Sequence, residues 1–301
     1  MDRIVPIKCD KAFKKMFGDR SGISRLEGLL SIYLDIPYNE LKGNVEIKKK
    51  KKRVNQEKEK KQSYDILAKI IFNVDNKINL EMNVKNYKGL IDRNIAYISH
   101  IFGSQMKTSE NYSKVDKVIQ INFNTFYVDE ENLKIIDKYY IQNDEGNKLT
   151  KKLQIHHINI EECKKAWYNK DIEKYSKKEQ EIIKIGALML IDNINDFEEC
   201  LSEVKNMNEW KKDIESTIKD LSSDEELLIY YDEEKDKQAI INSGLTEAEE
   251  KGLKEGIEKG KVEGKNERNK EIALKMLKEN IDINLISKLT DLSINEISNL
   301  K

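Results

Sequence analysis

Two acids lie inside apolar, strand-like runs: Asp65 in Ser63-Tyr-Asp-Ile-Leu-Ala-Lys-Ile-Ile-Phe72 and Glu81 in Ile78-Asn-Leu-Glu-Met-Asn-Val84. A carboxylate in a strand that otherwise reads as sheet core loses hydration, and it persists there when paired, hydrogen-bonded or bound to a cation. Glu81, Asn83 and Lys85 alternate along the chain, so a regular strand sends all three to one face. Two neighbouring carboxylates hold a hard ion such as Mg²⁺ through one or two protein ligands plus water. Such an ion activates water against a phosphodiester and offsets the charge that develops. Asp65 and Glu81 are therefore the candidate metal ligands of a phosphodiester-cleaving centre, with Asn83 and Lys85 beside them.

The elements that must position these residues follow from local pattern. Asn73-Val-Asp-Asn-Lys77 is rich in turn formers and predicts a β-hairpin. A turn about Asp75 sets Asp65 opposite a residue near Lys85 and leaves Glu81 about four residues, roughly 13 Å, along the strand. A shared ion then needs a bulge, a bent strand or an asymmetric loop. Upstream, Phe13, Met16 and Phe17 share a helical face behind Asp10, which reads as the N-cap, and Gly18 stops the turn. A second helix is expected from about Gly22 to Leu34. A strand near Leu41 to Ile47 then runs into six basic residues, Lys48, Lys49, Lys50, Lys51, Lys52 and Arg53. Ile91 to Met106 has helical period. Lys117 to Phe126 reads as a strand buried on both faces through Val118, Ile119, Ile121 and Phe123, and Leu153 to Ile160 as another strand. From Glu161 onwards helices dominate. Gly252, Gly256, Gly260 and Gly264 then recur among Glu and Lys, and Ser293 with Glu296 forms a capping box.

The order Asp10-Lys-Ala-Phe-Lys-Lys-Met-Phe-Gly18, Asp65, Leu80-Glu-Met-Asn83, Arg93-x-x-x-Tyr97 and Gln105 resembles the recombination-promoting nuclease/putative transposase family of the PD-(D/E)xK nuclease superfamily. The resemblance extends over the helical middle, the Gly repeat and the ending Ile286-Ser-Lys-Leu-Thr-Asp-Leu-Ser-Ile-Asn-Glu-Ile297. It implies an α/β fold with a restriction-endonuclease-like core, a central mixed sheet flanked by helices, and an all-helical C-terminal extension. The expected divisions are residues 1–160 for the core, 161–243 for the extension and 244–301 for the tail with its small cap. It implies a metal-dependent DNA endonuclease acting in recombination, mobile elements or phage defence, with Mg²⁺ or Mn²⁺ as cofactor. Asp65 matches the family's metal-binding aspartate, Glu81 its glutamate and Asp10 its leading acid, a third metal ligand. Asn83 departs from the pattern, since relatives usually carry Gln there and the wider superfamily Lys. The cation that would stabilise the attacking hydroxide is thus missing at that position. Either the shorter amide orients a water, Lys85 reaches in, or the chain is weak or inactive.

Several features carry a plainer reading beside the functional one. Arg93 and Tyr97, four apart on a helix, suit a phosphate, the catalytic carboxylates or a structural packing pair. The run from Lys48 to Arg53 suits either a DNA backbone or a solvated loop, since sequence-independent affinity for DNA comes mainly from Lys and Arg. Glu27 is expected to be solvated, and His156-His157 reads as a structural pair. The net charge of −1, from 54 basic and 55 acidic residues, excludes a global field that draws in nucleic acid. Three distant cysteines and the absence of a long apolar run point to a cytoplasmic chain with reduced thiols and no membrane partner. Glycines four apart suggest a helix that packs closely in a homo-oligomer. Two other kinds of protein fit the sequence as well: an enzymatically silent member acting through its tail, and a DNA-binding regulator.

Overall fold

The structure is a computed structural model that describes residues 3–48, 65–71, 76–106, 111–129, 131, 133–205 and 208–300. Helices α1 (Asp10–Phe17), α2 (Ile23–Leu34) and α3 (Tyr38–Leu41) precede strands β1 (Val45–Ile47), β2 (Ile66–Ile70) and β3 (Asn76–Asn83). Helix α4 (Leu90–Gly103) crosses to β4 (Lys117–Asn124), and β5 (Ile136–Gln142) and β6 (Lys148–Asn159) complete the described sheet. Its order is β1-β2-β3-β4-β6-β5. The β3–β4 and β4–β6 pairs are parallel and the other three antiparallel, a mixed sheet as expected. A parallel β3–β4 pair needs a crossover, and α4 supplies it.

Alternation divides the sheet into two unlike faces. One face carries Ile66, Ala68, Ile70, Ile78, Leu80, Ile119, Ile121, Phe123 and Ile158, which share one core with Phe13, Met16 and Phe17 of α1 and Leu26, Leu29 and Leu30 of α2. The Phe13 and Phe123 rings meet edge to face, with centroids 6.2 Å apart. The opposite face is apolar at one end, where Ile98 and Ile101 of α4 cover Val118, Leu67, Leu153 and Ile155. At its other end it is polar. Both sides of β4 are buried, as its sequence predicts.

Four local expectations are corrected. The β2–β3 register pairs Ile66 with Leu80 and Ile70 with Asn76, so one residue further Asp65 stands beside Glu81 and no bulge is required; the turn residues 72–75 lie outside the described residues. The 41–47 segment begins as helix, and only Val45–Ile47 pairs as a strand. Asp10 is the first residue of α1, with Cys9 at the N-cap position, so its charge complements the helix terminus from within the first turn. Glu27 is not solvated: it is buried, accepts the Gly43 N–H at 2.8 Å, and has its pKa raised by burial against that bond. Gly43 itself has φ 76°, which favours glycine at that turn.

Helices α5 (Ile160–Tyr168), α6 (Lys177–Leu188), α7 (Ile194–Glu203) and α8 (Asn208–Ser223) extend the same core through Cys163, Ile183, Phe197, Ile214 and Ile218. Helix α8 docks on α2 where Gly28 leaves room for Trp210, whose Nε1–H donates to the Arg25 carbonyl at 2.9 Å. A Cβ on Gly28 would lie 2.1 Å from Trp210 Nε1. Gly28→Ala is therefore expected to cost about 1–3 kcal/mol, the usual range for overpacking, measured as a lower urea midpoint with unchanged slope.

The chain divides into two compact units, Met1–Tyr231 and Asp232–Lys301. Helix α9 (Glu225–Lys278) continues from the first into the second. In the second, α10 (Ile283–Thr290) and α11 (Ile294–Ser298) fold onto its end around Ala273, Ile286, Leu292 and Ile297. The Ser293–Glu296 capping box is formed. A Cβ on Gly252, Gly256, Gly260 or Gly264 would meet no heavy atom within 4 Å among the described residues. No described helix is long and apolar enough to cross a membrane.

Candidate active site

Asp65 and Glu81 meet at the point where β2 begins and β3 nears its end. Each carboxylate accepts an N–H from the other's strand: Asp65 N–H donates to Glu81 Oε1 at 3.2 Å, and Met82 N–H donates to Asp65 Oδ2 at 3.0 Å. The hairpin thus fixes both side chains through backbone as well as register. Glu81 is 2 % exposed, and Asn79, two residues earlier on the same face, donates to its Oε1 at 3.1 Å.

The electrostatics of the pair are unbalanced. Burial, and after it the Asp65 charge, push the Glu81 carboxyl up to about 7, against the bonds from Asn79 and the Asp65 N–H and the charge of Arg93. From α1, the Lys14 ammonium reaches Asp65 Oδ1 at 3.3 Å and also bonds Asp10. Burial alone would lower the Lys14 pKa, but the Asp10 hydrogen bond and the charges of Asp65 and Asp10 outweigh it and raise it. Two close acids, one of them dry and one already holding an ammonium, are surroundings that a divalent cation satisfies. Among the described residues no group of three or more His, Cys, Asp or Glu side chains gathers at metal-ligand spacing. Asp10 is joined to Asp65 through Lys14. The donor set is the two-carboxylate kind that suits Mg²⁺ with water or phosphate completing its shell.

Asn83 faces the same side as Glu81, and both ends of its amide are hydrogen-bonded. Its Nδ2 donates to Asn124 Oδ1 at 2.9 Å and to Asn122 Oδ1 at 3.4 Å, and its Oδ1 accepts Arg93 Nη2 at 2.6 Å. The same Arg93 Nη2 lies 3.9 Å from Glu81 Oε2. Gly89, in the left-handed region at φ 93°, starts α4 so that Arg93 falls in its first turn, and the Tyr87 and Tyr97 rings lie 5.4 and 5.5 Å from its Cζ. Behind Asn83 runs a row of buried amides. Gln120 Nε2 donates to Asn122 Oδ1 at 3.0 Å and to Asn94 Oδ1 at 2.8 Å, and Asn124 Nδ2 donates to His157 Nδ1 at 2.9 Å. Asn79 Oδ1, Arg93 Nε, Asn94 Nδ2 and Gln120 Oε1 are buried around this cluster with no hydrogen-bond partner among the described residues.

The other candidates are placed more simply. Strand β3 ends at Asn83, so Lys85 lies past it, exposed, and does not share the regular alternation expected of it. Lys48 is exposed at the end of β1 and pairs with Glu46 at 2.5 Å; Lys49, Lys50, Lys51, Lys52 and Arg53 lie outside the described residues. Gln105 bonds both backbone groups of Asp116, tying the end of α4 to the approach of β4. His156 bonds Tyr33 and Gln154 on the core face, while His157 faces the amides. Burial first, then the Lys138 charge, lowers His156 to about 3, and burial lowers His157 to about 4. Both rings are neutral and structural. Sequence reasoning missed Lys14 and the Gln120-x-Asn122-x-Asn124 row, whose signal was amides at strand period inside an apolar run.

A mixed sheet flanked by helices, with paired acids on a central hairpin and a polar half-face beside them, is the core of an α/β nuclease. The family model for PD-(D/E)XK nuclease family transposases matches residues 7–248, and the chain belongs to that family. No curated protein and no solved structure matches it. Membership makes nuclease chemistry on DNA its class of activity, and nucleases of this superfamily generally use divalent metal ions.

Proposed function

We propose that the chain is a Mg²⁺-dependent DNA endonuclease, with Mn²⁺ able to substitute, in which Asp65 and Glu81 hold the metal. The observation that carries this reading is the β2–β3 register, which sets an acid at the strand mouth against an acid buried in the sheet. When bound, the ion supplies the activation of water and the offset of charge at phosphorus. The protein's own groups do the rest: backbone N–H groups orient the two carboxylates, Asn79 steadies Glu81, and the dry sheet face keeps their field unscreened. Lys14 pairs with Asp65 and with Asp10, an outer acid of the site, and would keep Asp10 as its partner were Asp65 to hold a metal ion.

DNA contacts are assigned to Arg93 and to the basic run from Lys48 to Arg53, and the setting to a cytoplasmic role in recombination, mobile elements or phage defence. Plasmid nicking with Mg²⁺, Mn²⁺ or EDTA, beside Asp65→Asn and Glu81→Gln, tests the proposal. Cleavage that needs metal and vanishes in both variants supports it; cleavage surviving in both sinks the site. Asn83 in place of a cationic strand residue favours a second reading, an enzymatically silent member acting through its tail, and the basic run with the terminal helices a third, a DNA-binding regulator; absence of cleavage with every metal favours one of these.

For assembly, we propose that the glycine series of α9 pairs with a second copy, because its Cα surface is unobstructed among the described residues. Truncation before Gly244 is expected to lower the mass measured by light scattering to that of a single chain. An unchanged oligomeric state removes the idea.

A further inference from the structure

We propose that Arg93 is a catalytic residue that takes the part of the cation missing from position 83, and that Asn83 is its positioning residue. The inference rests on the nuclease reading above and names a further member of that site. Asn83 has no donor left for a reacting water, since both hydrogens of its Nδ2 go to β4 amides, and its Oδ1 already takes Arg93 Nη2 at 2.6 Å. Its work is to hold the guanidinium. That group stands 3.9 Å from Glu81 Oε2.

Three observations distinguish Arg93 from a structural partner of Glu81. Its Nε is buried without an acceptor among the described residues, although an unmade hydrogen bond from a charged group is costly. Nε and Nη2 share one edge of the guanidinium, so the idle donor lies on the edge that already addresses Asn83 and Glu81, the fork geometry that suits two phosphate oxygens. The side chain is 31 % exposed, so a phosphodiester can reach it. The Tyr87 and Tyr97 rings and the α4 backbone limit its motion. In hydrolysis a water oxygen bonds to phosphorus, the bond from phosphorus to the leaving deoxyribose oxygen breaks, the water loses one proton to solvent and the leaving oxygen gains one. Arg93 acts on the negative charge that gathers on the non-bridging oxygens.

The test uses the full chain as wild type, Arg93→Met, Asn83→Lys and the double variant. Single-turnover cleavage in Mg²⁺, anisotropy of a fluorescein-labelled duplex in Ca²⁺, and Mn²⁺ titration are measured. Arg93→Met is expected to bind Mn²⁺ like the wild type, to cleave about 100-fold more slowly and to bind the duplex about tenfold more weakly. Adding Asn83→Lys to that variant is expected to recover part of both losses, and guanidinium ion added to Arg93→Ala is a second route to recovery should the buried lysine disturb the sheet. Undiminished cleavage and duplex binding in Arg93→Met, or loss of Mn²⁺ binding with no recovery by either route, overturns the assignment. If the wild type does not cleave, the nuclease reading fails by itself, and the duplex affinities still decide whether Arg93 contacts phosphate.

Discussion

Replacing Glu81 by glutamine is expected to stabilise the metal-free chain by about 3 kcal/mol above pH 7 and to change little at low pH. The folded carboxyl titrates near 7, above its ordinary value of 4.5, because burial and then the Asp65 charge disfavour its ionised form. A group whose folded pKa is raised contributes stability that is fully present below the unfolded value. That contribution is lost as pH rises through the folded value, here between about 4.5 and 7. Glutamine keeps the oxygen that accepts Asn79 and the Asp65 N–H and has no proton to lose. Urea denaturation in EDTA across that pH range measures the difference, and two parallel stability curves would disprove it. Divalent metal should reverse the order, stabilising the wild type and leaving Glu81→Gln unaffected, since a ligand of the native state adds stability only where it binds.

Asp65→Asn is expected to reduce cleavage by more than about 100-fold, beyond the range seen when only an outer-shell partner of a metal ligand is lost. The substitution is nearly isosteric. An asparagine oxygen can still accept the Met82 N–H that Asp65 Oδ2 takes at 3.0 Å, and Lys14 keeps Asp10 as its partner. What disappears is one of two metal carboxylates and the charge that raises Glu81. The variant should therefore fold normally, fail to bind Mn²⁺, and titrate Glu81 below 7. Single-turnover kinetics, Mn²⁺ titration and circular dichroism separate this outcome from misfolding. Intact Mn²⁺ affinity in Asp65→Asn would remove Asp65 from the metal site.

The acids were legible from sequence because charge inside an apolar strand is conspicuous, and their family order with Asp10, Arg93 and Tyr97 gave the fold. Their registry was not legible. Loop composition marks a turn near residues 73–77, but it does not fix which residues flank it, and a centre displaced by two residues moves Asp65 from Lys85 to Glu81. Glu27 misled for a related reason: its burial depends on the Gly43 N–H, a contact 16 positions along the chain that no local pattern contains. Lys14 looked like one more surface lysine of an amphipathic helix, and only the placement of α1 against the hairpin turns it toward Asp65. The β4 amides were hidden by their neighbours, since Val118, Ile119, Ile121 and Phe123 alone suffice to read the strand as buried.

The amide row also governs how the strands can pair at all. Parallel strands of Ile and Val tolerate sliding, because one apolar side chain replaces another. Slipping β4 by one residue against β3 would drive Gln120, Asn122 and Asn124 in among the aliphatic and aromatic side chains that now surround Phe123, and would turn Ile121 and Phe123 toward Glu81. Each stranded amide would cost about 1–3 kcal/mol, so together they would consume most of a domain's usual stability. The uncharged amides that anchor Arg93 are thus also a proofreading device for assembly: a slipped β4 cannot persist, and Asn83 meets its β4 partners only in a sheet that is correctly aligned.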